Sequence, residues 1–233
     1  MTRTIGACLV CGEPLVYFEE ARELECALCH QKFMAYASCA AGHYVCDECH
    51  ARKGIEVIMA GCRESGSRDP IAILQTLMND PFIYMHGPEH HVLVGAALLT
   101  AYANSGGQVE LAAALEEMKA RGSSYPGGAC GLWGCCGAAV SAGMFMSIVT
   151  KATPLTVTPW RLSNQMTAEA LAAIAPLGGP RCCKRNSFTA VKEAVRFTKE
   201  HLGVAMELPD QIQCDFSAEN QQCIKARCPY HRK

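Results

Sequence analysis

The order of hydrophobic and polar positions predicts a helical core that begins near residue 51. Asp69 followed by Pro70 is typical of a helix start, with Asp as the N-cap and Pro in the first turn, and apolar residues at helical spacing follow. Residues 92–99 are apolar on every side, which predicts a central helix that is buried all round. Further helices are predicted over residues 111–118, 168–175 and 188–202.

Three parts are expected along the chain, and the predicted fold class is mainly α. Residues 1–50 should form a small zinc-binding module of short loops, residues 51–208 the helical core domain, and residues 209–233 a Cys/His metal-binding tail. A short strand is predicted over residues 204–208. The uncharged residues 122–150 are long enough for a membrane span, but they are rich in Gly, Ser, Ala and Cys and contain few Leu and Ile. We therefore expect buried protein there and no membrane contact.

The cysteine content points to metal chemistry. Sixteen cysteines in 233 residues are far above normal usage, and such an excess indicates disulfides, zinc or iron–sulfur chemistry. The first residues lack the apolar run of a secretory signal, so a cytoplasmic location with reduced thiols is expected, which favours metal binding. The net charge of −1 gives no general attraction for nucleic acid, although residues 181–233 carry ten Lys and Arg against six Asp and Glu.

Eight soft metal ligands at zinc-knuckle spacing stand within the predicted module. They are Cys8, Cys11, Cys26, Cys29, Cys39, His43, Cys46 and Cys49. A Cys-x-x-Cys turn holds two thiolates at the separation that a tetrahedral Zn²⁺ requires, so eight ligands predict two zinc sites. Sequential pairing would place the first four on one metal, whereas a cross-brace would interleave the pairs, and the sequence is compatible with both. Closed coordination predicts a structural or recognition role.

A second group of cysteines stands in a glycine-rich segment. Cys130, Cys135 and Cys136 precede a predicted buried helix, and Cys182 and Cys183 precede another. Thiolates at a helix N-terminus should have a depressed pKa because the helix dipole stabilises the anion, and they are good ligands for iron. The alternative is that these are small buried side chains that only pack a tight helix.

Three local patterns in this region occur together. Cys182, Arg185, Asn186, Ala190, Val191 and Lys192 are spaced as Cys-x-x-Arg-Asn-x-x-x-Ala-Val-Lys. Residues 134–137 read Gly-Cys-Cys-Gly before an Ala/Gly-rich helix, and Gly87-Pro88 stands shortly before His91. Over roughly residues 86–200 these patterns resemble the iron–sulfur L-serine dehydratase family and the related L-cysteine desulfidases.

The resemblance implies a helical scaffold that binds a [4Fe–4S] cluster, with Cys135 and Cys182 as ligands. The family has another ligand cysteine shortly before the position of Cys182, where this chain has none. The third thiolate is therefore expected from Cys130, Cys136 or Cys183. The whole chain also resembles a cysteine-rich family of anaerobic bacteria and archaea that carries an N-terminal zinc module.

Polar residues of the core are candidates for catalysis. His90 or His91 would be the base that removes a proton from substrate, and Arg185 could bind a substrate carboxylate. His86 stands four residues before His90 and would share a helix face with it if the helix began that early. A helix-capping or core role is the alternative for these histidines.

The tail carries a further set of candidate ligands. Cys214, Cys223, Cys228 and His231 approximate a zinc finger with three cysteines and one histidine. Cys228 followed by Pro229 is also typical of ferredoxin cluster motifs, so a third metal of open identity is predicted.

Three functions follow as hypotheses. The first is a [4Fe–4S]-dependent lyase that dehydrates or desulfurises a small hydroxy- or thiol-containing substrate, with an open iron as Lewis acid. The second is a non-catalytic iron–sulfur or sulfur carrier, or an electron-transfer protein, that acts with a partner protein and holds its cluster through four cysteines. The third is a zinc-binding nucleic-acid or protein adaptor, which the near-neutral net charge disfavours.

Overall fold

The computed structural model describes residues 8–232, and over this range the chain is mainly helical, as predicted. An antiparallel hairpin of two strands comes first, formed by β1 (Leu15–Glu25) and β2 (Lys32–Cys39). The α-helices of the described range follow: α1 (Asp47–Glu64), α2 (Pro70–Met78), α3 (His90–Asn104), α4 (Leu111–Ser123), α5 (Ala129–Leu132), α6 (Gly137–Val149), α7 (Thr158–Ile174) and α8 (Cys183–Leu202). Short 3-10 turns lie at Ala175–Leu177 and Lys225–Arg227.

The helical core is built around α3, which packs against α1, α2, α4, α6 and α8. Every residue from 92 to 102 is buried, so the predicted central helix is confirmed. Small side chains let the neighbouring helices come close. A Cβ added at Gly95 would lie 2.2 Å from Met118 Cε of α4. The Gly95 N–H donates to Ser141 Oγ of α6 at 2.9 Å, so backbone of α3 touches side chains of both neighbours.

Sequence signals that act over a few residues predicted the positions of most of the helices. The Asp69 carboxylate accepts hydrogen bonds from the N–H groups of Ile71 at 2.8 Å and Ala72 at 3.2 Å, which confirms it as the N-cap of α2. The predicted helices at residues 111–118, 168–175 and 188–202 lie within α4, at the end of α7 and within α8.

The strand predicted over residues 204–208 is wrong. This segment runs beside the start of α2, where the Glu207 N–H donates to the Arg68 carbonyl at 2.9 Å. The segment does not form a strand because no strand of the described residues lies beside it to pair with its backbone.

The N-terminal module is joined to the core by α1. The helix begins at Asp47 and runs through residue 50, where the sequence placed the domain boundary, and its inner face buries Ile55, Ile58 and Cys62. The module itself holds a hairpin in place of the expected short loops. In β1 most side chains are exposed, so the strand lacks the alternation of apolar and polar residues that marks a half-buried strand.

The uncharged stretch is buried only in part, because residues 131–134 are exposed and Trp133 is 65% exposed. Its apolar part forms α6, in which nine of the thirteen residues are buried, and α6 packs against α3 and α7. No helix of the described residues combines the length and the apolar character that crossing a membrane requires.

Candidate functional site

Two groups of potential metal ligands lie in the N-terminal module. One consists of Cys8, Cys11, Cys39 and His43, and the other of Cys26, Cys29, Cys46 and Cys49. Within each group the ligand atoms all lie within 4.8 Å of one another. The Sγ atoms of Cys11 and Cys39 are 3.7 Å apart, and those of Cys29 and Cys46 are 3.8 Å apart. Tetrahedral Zn²⁺ with ~2.3 Å bonds separates its sulfurs by about 3.8 Å, so both groups are compatible with a metal such as zinc.

The two groups interleave along the chain, which makes the module a cross-brace. The hairpin explains this pairing. Antiparallel pairing of Leu15 with Cys39 brings the first knuckle, which precedes β1, to the end of β2. The second knuckle stands at the hairpin turn, where Cys26 pairs with Tyr44 and so lies beside Cys46. Sequence could not choose between the pairings because strand register decides it.

Backbone N–H groups point at the sulfurs of both groups. His43 N–H donates to Cys39 Sγ at 3.1 Å, and Cys46 N–H donates to Cys26 Sγ at 3.4 Å. Although burial favours the neutral thiol, these bonds and the neighbouring side chains lower the pKa of Cys39 to about 7 and that of Cys26 to about 6. Burial raises the pKa of Cys46 to about 12 and also raises that of Cys49, so only some of these thiols ionise readily, and a bound metal would supply the charge that keeps the others as thiolates.

A cavity of about 670 Å³ lies between this module and the helical core. From the module side it is lined by Tyr17, Tyr44, Asp47 and further residues of the hairpin. The core contributes three imidazoles, four thiols, one guanidinium and one amide: His86, His90, His91, Cys130, Cys136, Cys182, Cys183, Arg181 and Asn186. A cleft of this size with a few converging polar groups is typical of a small-molecule site.

His91 is held as a neutral base at the edge of this cavity. Its Nδ1 lies 3.0 Å from the Tyr125 carbonyl oxygen, an acceptor, so Nδ1 carries the proton and Nε2 is left with a free lone pair. The imidazole packs on Gly137 at the start of α6, where an added Cβ would lie 2.4 Å from Nε2. Burial lowers the pKa of His91 below its usual 6.5, which keeps the ring neutral near pH 7.

His90 and Glu89 form a buried polar pair beneath the cavity. His90 Nδ1 lies 3.1 Å from the Gly87 carbonyl oxygen and 3.2 Å from Glu89 Oε1. The other carboxylate oxygen, Oε2, lies 3.8 Å from Nδ1 of His50. Glu89 is fully buried, and burial raises its pKa. Glu89 was not among the candidates named from the sequence. Its position directly before His90 and His91 is the signal that could have identified it.

Several polar atoms in this region have no hydrogen-bond partner among the described residues. They are Nδ1 of His50 and His86, Nε2 of His90, and both carboxylate oxygens of Glu89. Glu89 Oε1 and His90 Nδ1 lie close together, but the Nδ1 proton is directed at the Gly87 carbonyl oxygen and does not form a hydrogen bond with the carboxylate. Buried polar atoms are rarely left unpaired unless they serve a ligand or a reaction.

The two arginines at the start of α8 have different surroundings from those predicted. Arg185 is buried and donates to the carbonyl oxygens of Gly178 at 2.8 Å and Pro180 at 3.1 Å, and it does not line the large cavity. Arg181 does line it and donates to the Tyr17 hydroxyl on β1. The cation that faces the cavity is therefore Arg181, which the sequence analysis had left without a role.

The structure brings the two cysteine turns of the core together. Cys136 is the N-cap of α6 and Cys182 the N-cap of α8, and the Asn186 amide joins the turns by donating to Cys136 Sγ at 3.3 Å. Cys130 and Cys183 line the same cavity, whereas Cys135 does not. Cys135 instead presents its carbonyl oxygen to the Tyr125 hydroxyl at 2.9 Å.

The expectation of depressed thiol pKa values is wrong for three of these cysteines. Burial raises the pKa of Cys130 and of Cys182, and it raises the pKa of Cys183 to about 12. The penalty of removing a thiolate from water exceeds the stabilisation by the helix dipole, which is a partial charge. These residues are therefore neutral thiols near pH 7 unless a metal binds them.

The predicted tail ligands lie against Cys182. A second, smaller cavity of about 20 Å³ is lined by four cysteines, Cys182, Cys214, Cys223 and Cys228, together with His231 and Arg185 among others. Cys214 and His231 pair through an isolated β-bridge, which closes the tail on itself. The sequence predicted that the tail ligands form a separate zinc finger, whereas in the structure Cys182 of the core lines the same cavity as they do.

Comparisons with known proteins give one match. Residues 58–231, from the middle of α1 to the tail, match the model of a family described as "Family of unknown function (DUF5714)". The match begins after the eight ligands of the cross-brace module and includes the core cysteines and the tail. No curated protein and no solved structure matches the chain.

Proposed function

Because the chain belongs to this family of unknown function, which brings no activity to it, we propose from the site alone that the protein is an iron–sulfur-dependent enzyme of the lyase type. It would remove water or hydrogen sulfide from a small hydroxy- or thiol-containing acid bound between the cross-brace module and the core. The observation that carries this proposal is the cavity of about 670 Å³ in which a neutral imidazole, thiols and an arginine converge.

His91 is the proposed base. An elimination removes a proton from the carbon beside the substrate carboxylate and expels the leaving group from the next carbon. The Nε2 lone pair of His91 can accept that proton because Nδ1 is held by the Tyr125 carbonyl at 3.0 Å. The pKa of His91 lies below 6.5, so the base is unprotonated at neutral pH. His90 is less suited to the role since its side chain is only 2% exposed.

Arg181 is the proposed anchor for the substrate carboxylate. Its guanidinium stands over the Tyr17 ring at 5.4 Å, where it connects the wall of the core to the hairpin. A guanidinium can bind a carboxylate with two parallel hydrogen bonds and so fix its orientation. This is the role that the sequence assigned to Arg185, whose N–H groups are committed to backbone carbonyls.

The residues present fit an iron–sulfur cluster at Cys182. Cys182 lines both cavities, and its sulfur accepts hydrogen bonds from the Arg185 N–H at 3.4 Å and the Asn220 amide at 3.5 Å, which stabilise a thiolate ligand. A bound cluster supplies a Lewis acid if one iron lacks a protein ligand, and an electron carrier if all four irons have one.

The proposal is tested with anaerobically reconstituted full-length protein and L-serine or L-cysteine as substrate. Pyruvate formation is expected, and His91→Gln should lower kcat by about 10²- to 10⁴-fold, the usual contribution of a general base. Arg181→Gln should mainly raise KM. The control is His201→Gln, at the far end of α8 and outside the cavity. Protein with full iron content that turns over neither substrate would contradict the lyase proposal.

A second candidate is an electron-transfer or sulfur-carrier protein. It is favoured by the four cysteines around the smaller cavity, since a cluster with four protein thiolates has no open iron. It predicts a stable redox-active cluster, no pyruvate from either substrate, and no change in the absorption spectrum on addition of small ligands for iron.

A further inference from the structure

Four cysteines from distant parts of the chain share one enclosed space beside α8. Cys182 is the N-cap of that helix, and Cys214, Cys223 and Cys228 come from the tail, between 32 and 46 residues further on. All four line the smaller cavity. Cysteines seldom converge in this way in a chain with no disulfides among its described residues unless they bind a metal.

Hydrogen bonds to sulfur repeat the pattern of the cross-brace module. There, backbone N–H groups donate to Cys39 and Cys26. Here, the Arg185 N–H donates to Cys182 Sγ at 3.4 Å and the Lys225 N–H donates to Cys223 Sγ at 3.3 Å. Such bonds orient thiolate ligands and lower their charge density, which is the usual outer shell of a metal–sulfur site.

The spacing of their sulfur atoms distinguishes these four cysteines from the two zinc-like groups of the cross-brace module. In the cross-brace module the four ligand atoms lie within 4.8 Å of one another, and in the rest of the described chain no three candidate ligands meet that limit. Four thiolates on one Zn²⁺ must converge on a point, whereas four thiolates on a [4Fe–4S] cluster each bind a different corner and stand further apart.

The tail is held against α8 by contacts that do not involve sulfur. Tyr230 is buried, its ring packs edge-on against Phe188, and its hydroxyl lies 3.0 Å from the Thr189 hydroxyl. The Cys214 N–H donates to the Tyr230 carbonyl at 2.7 Å. The ligands are thus positioned by contacts that do not involve sulfur, which is what a preformed metal site requires.

We propose that Cys182, Cys214, Cys223 and Cys228 bind a [4Fe–4S] cluster that joins the C-terminal tail to the helical core. Each thiol loses its proton as it binds one iron, and two ferrous ions, two ferric ions and four sulfides supply the inorganic part, so the 2+ cluster forms without a further oxidant. The inference does not rest on the lyase activity, and it favours the electron-transfer candidate, because a cluster with four protein thiolates has no open iron. It replaces the ligand set that the resemblance implies, because Cys135 lies outside both cavities and the partners of Cys182 come from the tail.

The test is anaerobic reconstitution of the full chain with equal amounts of ferrous and ferric iron and with sulfide. The readouts are iron and sulfide content, visible absorption, and electron paramagnetic resonance after reduction. About four irons per chain and a reduced-cluster signal are expected. Cys214→Ser and Cys223→Ser should each lose most of the iron, whereas Cys135→Ser should keep it. A Cys62→Ser variant, altered in the buried face of α1, is the second control.

The opposite pattern, loss of iron in Cys135→Ser with retention in Cys214→Ser, would overturn the proposal. So would four colourless thiolates that hold one zinc in addition to the zinc of the cross-brace module. Circular dichroism and the zinc content of that module identify variants that fail to fold, and Cys228→Ala then serves as a further ligand variant. Retained cluster without turnover would refute the lyase activity and leave this site standing.

Discussion

The burial of His86 beside the cavity predicts that the protein loses stability in mild acid. Burial, followed by the positive charges of Arg181 and nearby residues, lowers the pKa of His86 from 6.5 to about 4. The His86 side chain is therefore protonated near pH 6.5 in the unfolded chain, but only near pH 4 in the folded chain. Folding free energy from this side chain is intact above pH 7 and is lost as pH falls through that window. The loss is about 2 kcal/mol between pH 7 and pH 5 and about 3 kcal/mol over the whole window.

The assay is urea unfolding followed by circular dichroism at pH 7 and pH 5. Acid also weakens metal binding, so the informative quantity is the difference between wild type and His86→Gln, in which metal loss is common to both proteins. The variant should lose about 2 kcal/mol less stability than wild type between the two pH values. His201→Gln, outside the cavity, should behave as wild type. Equal pH dependence in wild type and His86→Gln would show that the imidazole is not desolvated and would refute the reasoning.

Three further predictions concern the rest of the fold. Asp69→Ala should lower the free energy of unfolding by about 1 kcal/mol because it removes the N-cap of α2, whereas Asp210→Ala, an exposed position, should leave it unchanged in denaturant titrations. Gly54→Ala should cost about 1–3 kcal/mol, since the added methyl would lie 2.7 Å from the Phe82 carbonyl oxygen, and Gly66→Ala, where nothing lies within 4 Å, is its control in the same titrations. Chelation should release two zinc ions per chain by elemental analysis and unfold the hairpin module, and native disulfides among its cysteines would contradict that expectation.

The sequence shows where the cysteines stand along the chain, but it does not show which of them lie close together in the fold. Cys135 and Cys136 are neighbours in sequence, and the resemblance favoured Cys135 as a ligand, but the start of α6 places Cys136 at the cavity. Arg181 and Arg185 are four residues apart, and the turn before α8 decides which guanidinium faces the cavity and which is used by backbone carbonyls. In each case the deciding factor is a local backbone direction fixed by long-range packing.

Local chemistry by itself determined several features of this protein. The Asp69-Pro70 helix start, the buried central helix and the eight ligands of the module follow from residue types at fixed spacing, because capping, helical periodicity and knuckle turns act over a few residues. Tertiary structure alone decided the rest. The register of β1 against β2 interleaves the metal ligands, the approach of module to core encloses the cavity, and the docking of the tail on α8 brings Cys182 to three cysteines more than 30 residues away. These arrangements depend on contacts between segments far apart in sequence, whose energies no local pattern contains.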